Sequence, residues 1–338
     1  MAYVPKEQLA EPKAHKRALR WSASSVSAAR VGSALKVAHV EAAKKHTGRK
    51  RVRRGLFPYV AALPAVVLVG AVMYFPIGDT IYHSLTIWDG QTARFTGLGN
   101  FKLLLQNPVM RQVLVNSLIF LISVPTIVIA SLVAAVLVYE RVTGWRVFRV
   151  VFFIPGVLSS VVVGELVSTF VLPNGLANLP LRWLGLRPIE WLAEPWPART
   201  VVIAALVWSS FGFGMMIVLS AMSTIDPSLY DAALVDGASW WRRVRNITLP
   251  LVSESLQFLS VINVIYTFTA LFGFIFVITA GGPGFSTTTI DYYTYVTTFE
   301  DGQFGYGAAL AVVLFVIVLI LTVLQLVLFR RPEVQQGK

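Results

Sequence analysis

Few side chains in this 338-residue chain are able to do chemistry, and most of those sit inside apolar stretches. Glu165 is the one ionisable residue well within such a stretch. A carboxylate at membrane depth costs a few kcal/mol and normally faces the protein interior or a cavity. Two other stretches mix hydroxyls with rings: Trp208, Ser209, Ser210 and Phe213 in one, and Asn263, Tyr266, Thr267, Phe268 and Leu271 in the other. On a helix, Ser209 and Phe213 lie about one turn apart and share a face, as do Thr267 and Leu271. Hydroxyls beside flat apolar rings suit hydrogen bonding to a polyhydroxylated molecule and stacking on its rings. That chemistry is recognition. The same residues are equally at home in helix–helix packing.

Bond-making chemistry has little to work with. The absence of cysteine excludes disulfides and thiolate metal sites. His15, His39, His46 and His83 show no ligand spacing, so no metal site is expected. No GxxxxGK[ST] is present to cradle a nucleotide's phosphates. Asp291, Glu300 and Asp301 could form the acidic cluster that a membrane enzyme needs, although loops carry such acids routinely.

The elements that must position these residues follow from composition. The chain is 56% hydrophobic and 14% charged, where a soluble domain carries about 25% charged residues. Six apolar runs, 57–77, 113–138, 150–172, 201–222, 251–279 and 307–329, approach the roughly 20 residues needed to cross a bilayer. Backbone groups in lipid must be satisfied internally, so the runs are helices and the expected fold is an all-α polytopic membrane protein of six transmembrane helices. Pro64, Pro125 and Pro155 fall within runs and are expected to kink them.

The net charge is +12, and residues 1–54 hold 14 of the 29 Lys and Arg against three acids. The excess is therefore an N-terminal arm, which fits attraction to anionic lipid and gives no reason to expect a nucleic-acid partner. It reads as disordered or as a basic surface helix, and it precedes a run too long for a cleavable signal peptide. Three segments result: the arm at 1–54, a six-span domain at 55–331 and a tail at 332–338. With the N-terminus inside, 23 Lys and Arg fall on inner segments and six on outer loops. That bias puts both termini and residues 226–250 in the cytoplasm. Trp183, Trp191 and Trp196 then lie in an outer loop, where tryptophan marks the membrane interface.

The segment 226–250, DPSLYDAALVDGASWWRRVRNITLP, is polar and well capped. Asp226 is a good N-cap and Pro227 suits a first turn. A short helix over 228–236 should end at Gly237 in the left-handed conformation. Ser239 should cap a second short helix, and Pro250 should mark the start of the next span, because the residue before proline avoids helical geometry. Asp231-Ala232-Ala233, Gly237 four residues on, and Ile247-x-Leu249-Pro250 together resemble the EAA loop of membrane subunits of ATP-binding-cassette importers. In that family the loop's coupling helix fits a groove of the ATPase subunit. The resemblance assigns Tyr230, Asp231, Ala232, Ala233, Asp236, Gly237 and Pro250 to this contact, with Asp231 standing where the family usually has glutamate.

Three more passages extend the likeness across about 55–331: GLGNF at 97–101 with Asn116-Ser117 after it, FRVVFFIPGVLSS at 148–160, and ITAGGPGFSTTT at 278–289 followed by Phe304-Gly305. In order and spacing they resemble maltose-type sugar permeases. Two glycines and a proline at 281–283 should end the fifth span in a tight outer loop. The resemblance implies a transport subunit of the inner membrane, not an enzyme, serving a sugar or oligosaccharide. It implies a second homologous permease subunit, two copies of an ATPase and an extracytoplasmic solute-binding protein. This chain would hold no cofactor, with ATP and magnesium on the ATPase. It also implies that the solute lies against the fourth and fifth spans, at Ser209, Ser210, Phe213, Tyr266, Thr267, Phe268 and Leu271. Glycerol-3-phosphate permeases share these motifs, but a phosphorylated solute would want Arg or Lys in the spans. A gradient-driven secondary transporter would want more intramembrane charges or an inverted repeat.

Overall fold

The computed structural model describes residues 57–329. The basic arm and the tail lie outside the described residues. The chain divides into two units, Met1–Leu68 and Val69–Lys338. In the first, the described residues belong to helix α1 (Phe57–Val69), which carries Pro64 within it and is exposed from Tyr59 onward. The second contains α2 (Phe75–Ser84), a hairpin of β1 (Thr86–Trp88) and β2 (Ala93–Phe95), α3 (Gly99–Gln106), α4 (Pro108–Phe120) and α5 (Ser123–Tyr139). Then follow α6 (Trp145–Phe153), α7 (Ser160–Phe170), α8 (Leu179–Trp183), α9 (Pro195–Met222), α10 (Pro227–Val235), α11 (Trp240–Arg243) and α12 (Leu249–Leu251). The last elements are α13 (Ser253–Thr269), α14 (Phe272–Ile278), α15 (Ile290–Tyr295) and α16 (Phe304–Phe329). The hairpin, with Thr86 opposite Phe95, is the one β element among the described residues and was not legible in the sequence.

Among the described residues, four helical stretches are long and apolar enough to span a membrane: Tyr59–Ser84, Pro108–Tyr139, Pro195–Met222 and Phe304–Phe329. Two bent pairs, Trp145–Val157 with Ser160–Phe170 at 105° and Trp240–Leu251 with Ser253–Thr269 at 67°, bring the number to six if each is one span. The expected run 150–172 is therefore broken. Pro155 sits in a tight 3₁₀ turn, Ile154–Val157, and Leu158 and Ser159 are extended. Ser159 Oγ then accepts the Val162 N–H at 3.3 Å and caps α7. The run 251–279 is interrupted as well, at Ala270 between α13 and α14. Pro125 lies just inside α5, after a turn at Leu121 and Ile122.

The residue before Pro250 does not leave helical geometry: Leu249 has φ −58° and ψ −45°. A π-helical segment, Val244–Thr248, comes immediately before it. Its wider turn makes room where a proline ring would otherwise meet the carbonyl four residues back. Another π segment, Gly70–Tyr74, precedes Pro76 in the same way. The chain leaves the helix only at Val252 (φ −92°, ψ 3°).

Helix α9 is the hub of the second unit. It packs along α5, with Ser131 Oγ donating to the Phe211 carbonyl at 3.0 Å. A Cβ added at Gly212 would run into the Phe152 carbonyl, and one at Gly156 would lie 3.0 Å from the Ser209 carbonyl. The passage 148–160 thus crosses α9 backbone to backbone, which only small residues permit. Phe120, Leu206, Leu271 and Phe274 are fully buried in one cluster. GLGNF has a comparable role. Buried Asn100 points its Nδ2 at the carbonyls of Ser84 (2.9 Å), Thr86 (2.8 Å) and Gly305 (3.3 Å). Gly305 leaves no room for a Cβ beside the Thr86 carbonyl.

Candidate functional site

Helix α9 has 28 residues, about 42 Å at 1.5 Å per residue, and candidate functional surfaces lie beyond both ends. At its C-terminal end, Asp226 accepts the Ser228 N–H at 2.9 Å and caps α10. That bond holds the Asp226 carboxyl below its ordinary value. Gly237 has φ +70°, and the Gly237 and Ala238 N–H groups donate to Leu234 (3.1 Å) and Ala233 (2.8 Å). This is a Schellman closure, the glycine C-cap that the sequence led us to expect. Ser239 occupies the N-cap position of α11 but forms no side-chain cap bond, unlike the expectation. The backbone alone starts that turn, through Arg243 N–H to the Ser239 carbonyl at 3.0 Å.

The loop is anchored at its root and bare at its tip. Tyr230 is half-buried, its hydroxyl 3.0 Å from Thr248 Oγ1 and its ring 6.0 Å from that of Tyr139. Met222, Ile225 and Val252 are buried in a cluster with Val218 and Leu259, against which Tyr230 and Val244 pack. By contrast Asp231, Ala232 and Asp236 are exposed, as are Leu234, Val235 (89%) and Trp241 (73%). Ala233 is partly covered, and Gly237 and Pro250 are exposed.

At the N-terminal end of α9, the 281–289 loop is held by groups far away in sequence. Asn116 Nδ2 donates to the carbonyls of Phe285 (2.6 Å) and Thr288 (3.0 Å). Its Oδ1 accepts from Arg199 Nη2 at 2.9 Å, while Arg199 Nε donates to the Ser286 carbonyl at 2.8 Å. Thr287 and Thr288 hydroxyls tie back to the carbonyls of Gly282 and Gly281. The loop is the tight, fixed one expected, with Gly281 at φ +81°. Asn116 and Arg199 anchor this loop, a role that sequence reasoning missed. Asn116 was legible only as part of a motif, and Arg199 was read as a loop residue.

The candidate solute-path residues separate into two groups. Ser209, Thr267, Phe268 and Leu271 are buried within the chain. The Ser209 and Thr267 hydroxyls donate to the Leu206 and Asn263 carbonyls of their own helices. Phe268 packs with Val124 and Val264, and Leu271 belongs to the cluster around Phe274. Ser210 is partly covered, whereas Phe213 (53%) and Tyr266 (38%) are exposed. Asp291 turns inward, accepting from Thr289 and from the Tyr292 N–H at 2.9 Å, and burial pushes its carboxyl up. Glu300 and Asp301 are exposed, and no group of three His, Cys, Asp or Glu among the described residues could hold a metal.

The arrangement matches known proteins over most of its length. Residues 96–334 match the binding-protein-dependent transport system inner membrane component family. A probable ABC transporter permease protein of Pyrococcus horikoshii is 34% identical over 271 residues, covering 78% of this chain and 92% of that protein. The lactose transport system permease protein of Rhizobium radiobacter is 33% identical, over 78% of this chain and 90% of its own. Among solved structures, a bacterial alginate ABC transporter, crystallised with an alginate pentasaccharide-bound periplasmic protein, has the same fold. Its TM-score is 0.73 at 24% identity, covering 83% of this chain and 96% of that one. This chain is a multi-pass membrane permease subunit and belongs to the binding-protein-dependent transport system inner membrane component family.

Proposed function

We propose that this chain forms half of the translocation path of an ATP-driven importer for a sugar or oligosaccharide. The other half is a second homologous permease subunit. Two copies of an ATPase carry ATP and magnesium, and an extracytoplasmic binding protein delivers the solute. Both termini and the 226–250 loop face the cytoplasm, and the 281–289 loop faces outward toward the binding protein. The two loops lie beyond opposite ends of α9, which suits this division. Kinship with a lactose permease supports a sugar as solute. So does the state of Arg199, the only Lys or Arg within α9 and α13, whose guanidinium is engaged by Asn116 and Ser286.

One observation carries the mechanism. Helix α10 is capped at both ends, rooted in the buried cluster of Met222, Ile225 and Val252, and displays an unpacked tip. A rigid element with an apolar, unpartnered face is a lever that another protein can grip. Closure of the ATPase pair moves α10. The Tyr230–Thr248 bond and the buried root pass that movement to the facing ends of α9 and α13. Their opposite ends then open toward the binding protein. Affinity purification of the tagged chain in mild detergent tests the assembly. Recovery of an ATPase, a second permease and a binding protein is expected, and a chain that purifies alone and stably would sink the reading.

A further inference from the structure

Helix α6 and the 3₁₀ turn after it carry Val150, Phe153, Ile154 and Val157 at helical spacing, all exposed along one stripe. With Met216 of α9, this stripe walls a groove of about 410 Å³ whose one charged lining residue is Arg149. The close approaches of Gly212 to the Phe152 carbonyl and of Gly156 to the Ser209 carbonyl give its direction. Segment 149–157 runs against α9, so Arg149 lies toward the C-terminal end of α9 and Val157 toward its middle. Met216 is about 9 Å from that end. The roughly 42 Å of α9 match a bilayer with its headgroups, of which about 30 Å is hydrocarbon. The level of Met216 is therefore about 3 Å inside the hydrocarbon edge, shallow enough for the Arg149 stem to lie along the groove with its guanidinium among the headgroups. Residues 139–160 hold Arg141, Arg146 and Arg149 against one acid, Glu140. Among the described residues the one ion pair joins His83 to Asp79, so none of these arginines is neutralised there. Arg146 lies over the Trp145 ring at 5.4 Å, and Arg141 and Arg149 are exposed.

We infer that this groove is a site for one anionic phospholipid of the cytoplasmic leaflet. Its phosphate sits on Arg149 and an acyl chain lies along Val150, Phe153, Ile154 and Val157. A guanidinium grips a phosphate through two parallel hydrogen bonds. The apolar wall then covers the chain that hangs from it. Other occupants match only part of the site. A free phosphate leaves the wall bare, and a neutral alkyl chain leaves the arginines without a counter-charge. A zwitterionic lipid fills the groove but brings its own cation beside three arginines. Anionic lipid should therefore be preferred, by about fivefold for each arginine that reaches it. Only the choice of leaflet rests on the importer reading above, through the cytoplasmic placement of 226–250.

The absence of cysteine gives a clean test. Val157→Cys in the full chain takes a small bimane label at the deep end of the groove, and Leu319→Cys on the exposed side of α16 serves as a control. Each is placed in phosphatidylcholine nanodiscs, alone and in the assembled complex, with a rising fraction of acyl-brominated phosphatidylglycerol or phosphatidylcholine to quench it. At Val157 the brominated phosphatidylglycerol should half-quench at a fraction about fivefold lower than the brominated phosphatidylcholine; at Leu319 the two should be equal. Arg149→Gln should remove the preference and Arg149→Lys should keep most of it. Equal quenching by the two lipids at Val157, or a preference that survives Arg149→Gln, overturns the site. Quenching in the isolated chain that disappears in the complex shows a partner helix in the groove, and also overturns it. The measurement uses neither solute nor ATP, so failure of the importer reading leaves its outcome untouched.

Discussion

Gly237 can be tested against a twin within the same chain. Gly185 also has φ +70°, and neither glycine has an atom within 4 Å of where a Cβ would stand. Gly185 closes α8 with the same pair of bonds, its own N–H to Arg182 at 3.0 Å and Leu186 N–H to Leu181 at 2.8 Å. Alanine at either site meets no clash and bears only left-handed strain, about 1 kcal/mol. Proline requires the opposite sign of φ and deletes the N–H that bonds Leu234 or Arg182, which costs about 3 kcal/mol or more. Where the turn geometry is part of a docking surface, that strain appears as lost affinity: about fivefold for alanine and at least about a hundredfold for proline. The assay titrates the ATPase onto the permease pair in nanodiscs and follows solute-stimulated hydrolysis. Gly237→Ala and Gly237→Pro are expected to weaken docking in that order. Gly185→Ala and Gly185→Pro carry the same local strain and should leave it unchanged. Wild-type docking and hydrolysis with Gly237→Pro, or equal losses from the Gly185 pair, would refute the coupling role of α10.

Other perturbations separate structure from function. Gly212→Ala drives a Cβ into the rigid Phe152 carbonyl, whereas Gly214→Ala meets the movable Ser131 hydroxyl. Both overpack, by about 1–3 kcal/mol, and thermal unfolding in nanodiscs should find Gly212→Ala the worse. Leu271→Ala empties a fully buried site and should cost about 2–5 kcal/mol of stability; Tyr266→Ala should leave the unfolding midpoint nearly unchanged and raise the KM for uptake. Asn116→Leu strips two loop carbonyls and Arg199 of their partner, so stimulation of hydrolysis by the binding protein should fall while basal hydrolysis persists. Asp226 has its carboxyl lowered by the Ser228 N–H. Its capping contribution is therefore full above the unfolded value, about pH 4, and fades as pH falls through the folded one. Amide protection at the start of α10, corrected for intrinsic exchange, should be flat from about pH 7 to about pH 5 and drop below about pH 4; Asp226→Asn should remove that drop.

What could be read from the chain alone was local. Asp226 and Gly237 announce the ends of α10 because capping and left-handed turns are satisfied within a few residues. The apolar runs were legible for the same reason, since spanning length is a property of one segment. Their breaks were not. Leu158 and Ala270 are as apolar as their neighbours, so hydropathy passes straight through positions where the backbone leaves the helix. Ser239 and Leu249 show local rules losing to context: a suitable capping residue whose side chain makes no cap, and a pre-proline residue kept helical by the π turn before it. Asn100 and Asn116 were visible only as motif letters, because they bond to other segments, with partners up to 205 and 172 residues away.

The candidate path shows how packing narrows what a residue type can do in a membrane. Ser209 and Thr267 are the hydroxyls one would choose for a sugar, yet each already donates to a carbonyl three or four residues back on its own helix. In water such a group trades one partner for another at little cost. Inside a bundle it spends its hydrogen on its own backbone and keeps only its acceptor lone pairs for a solute. Glu165, by contrast, is exposed on this chain, and its carboxylate has no partner among the described residues. Hydrogen bonds are worth most where a group would otherwise go unsatisfied. Which hydroxyls are already committed to their own backbone is therefore a property of the packed helices, and it appears only there.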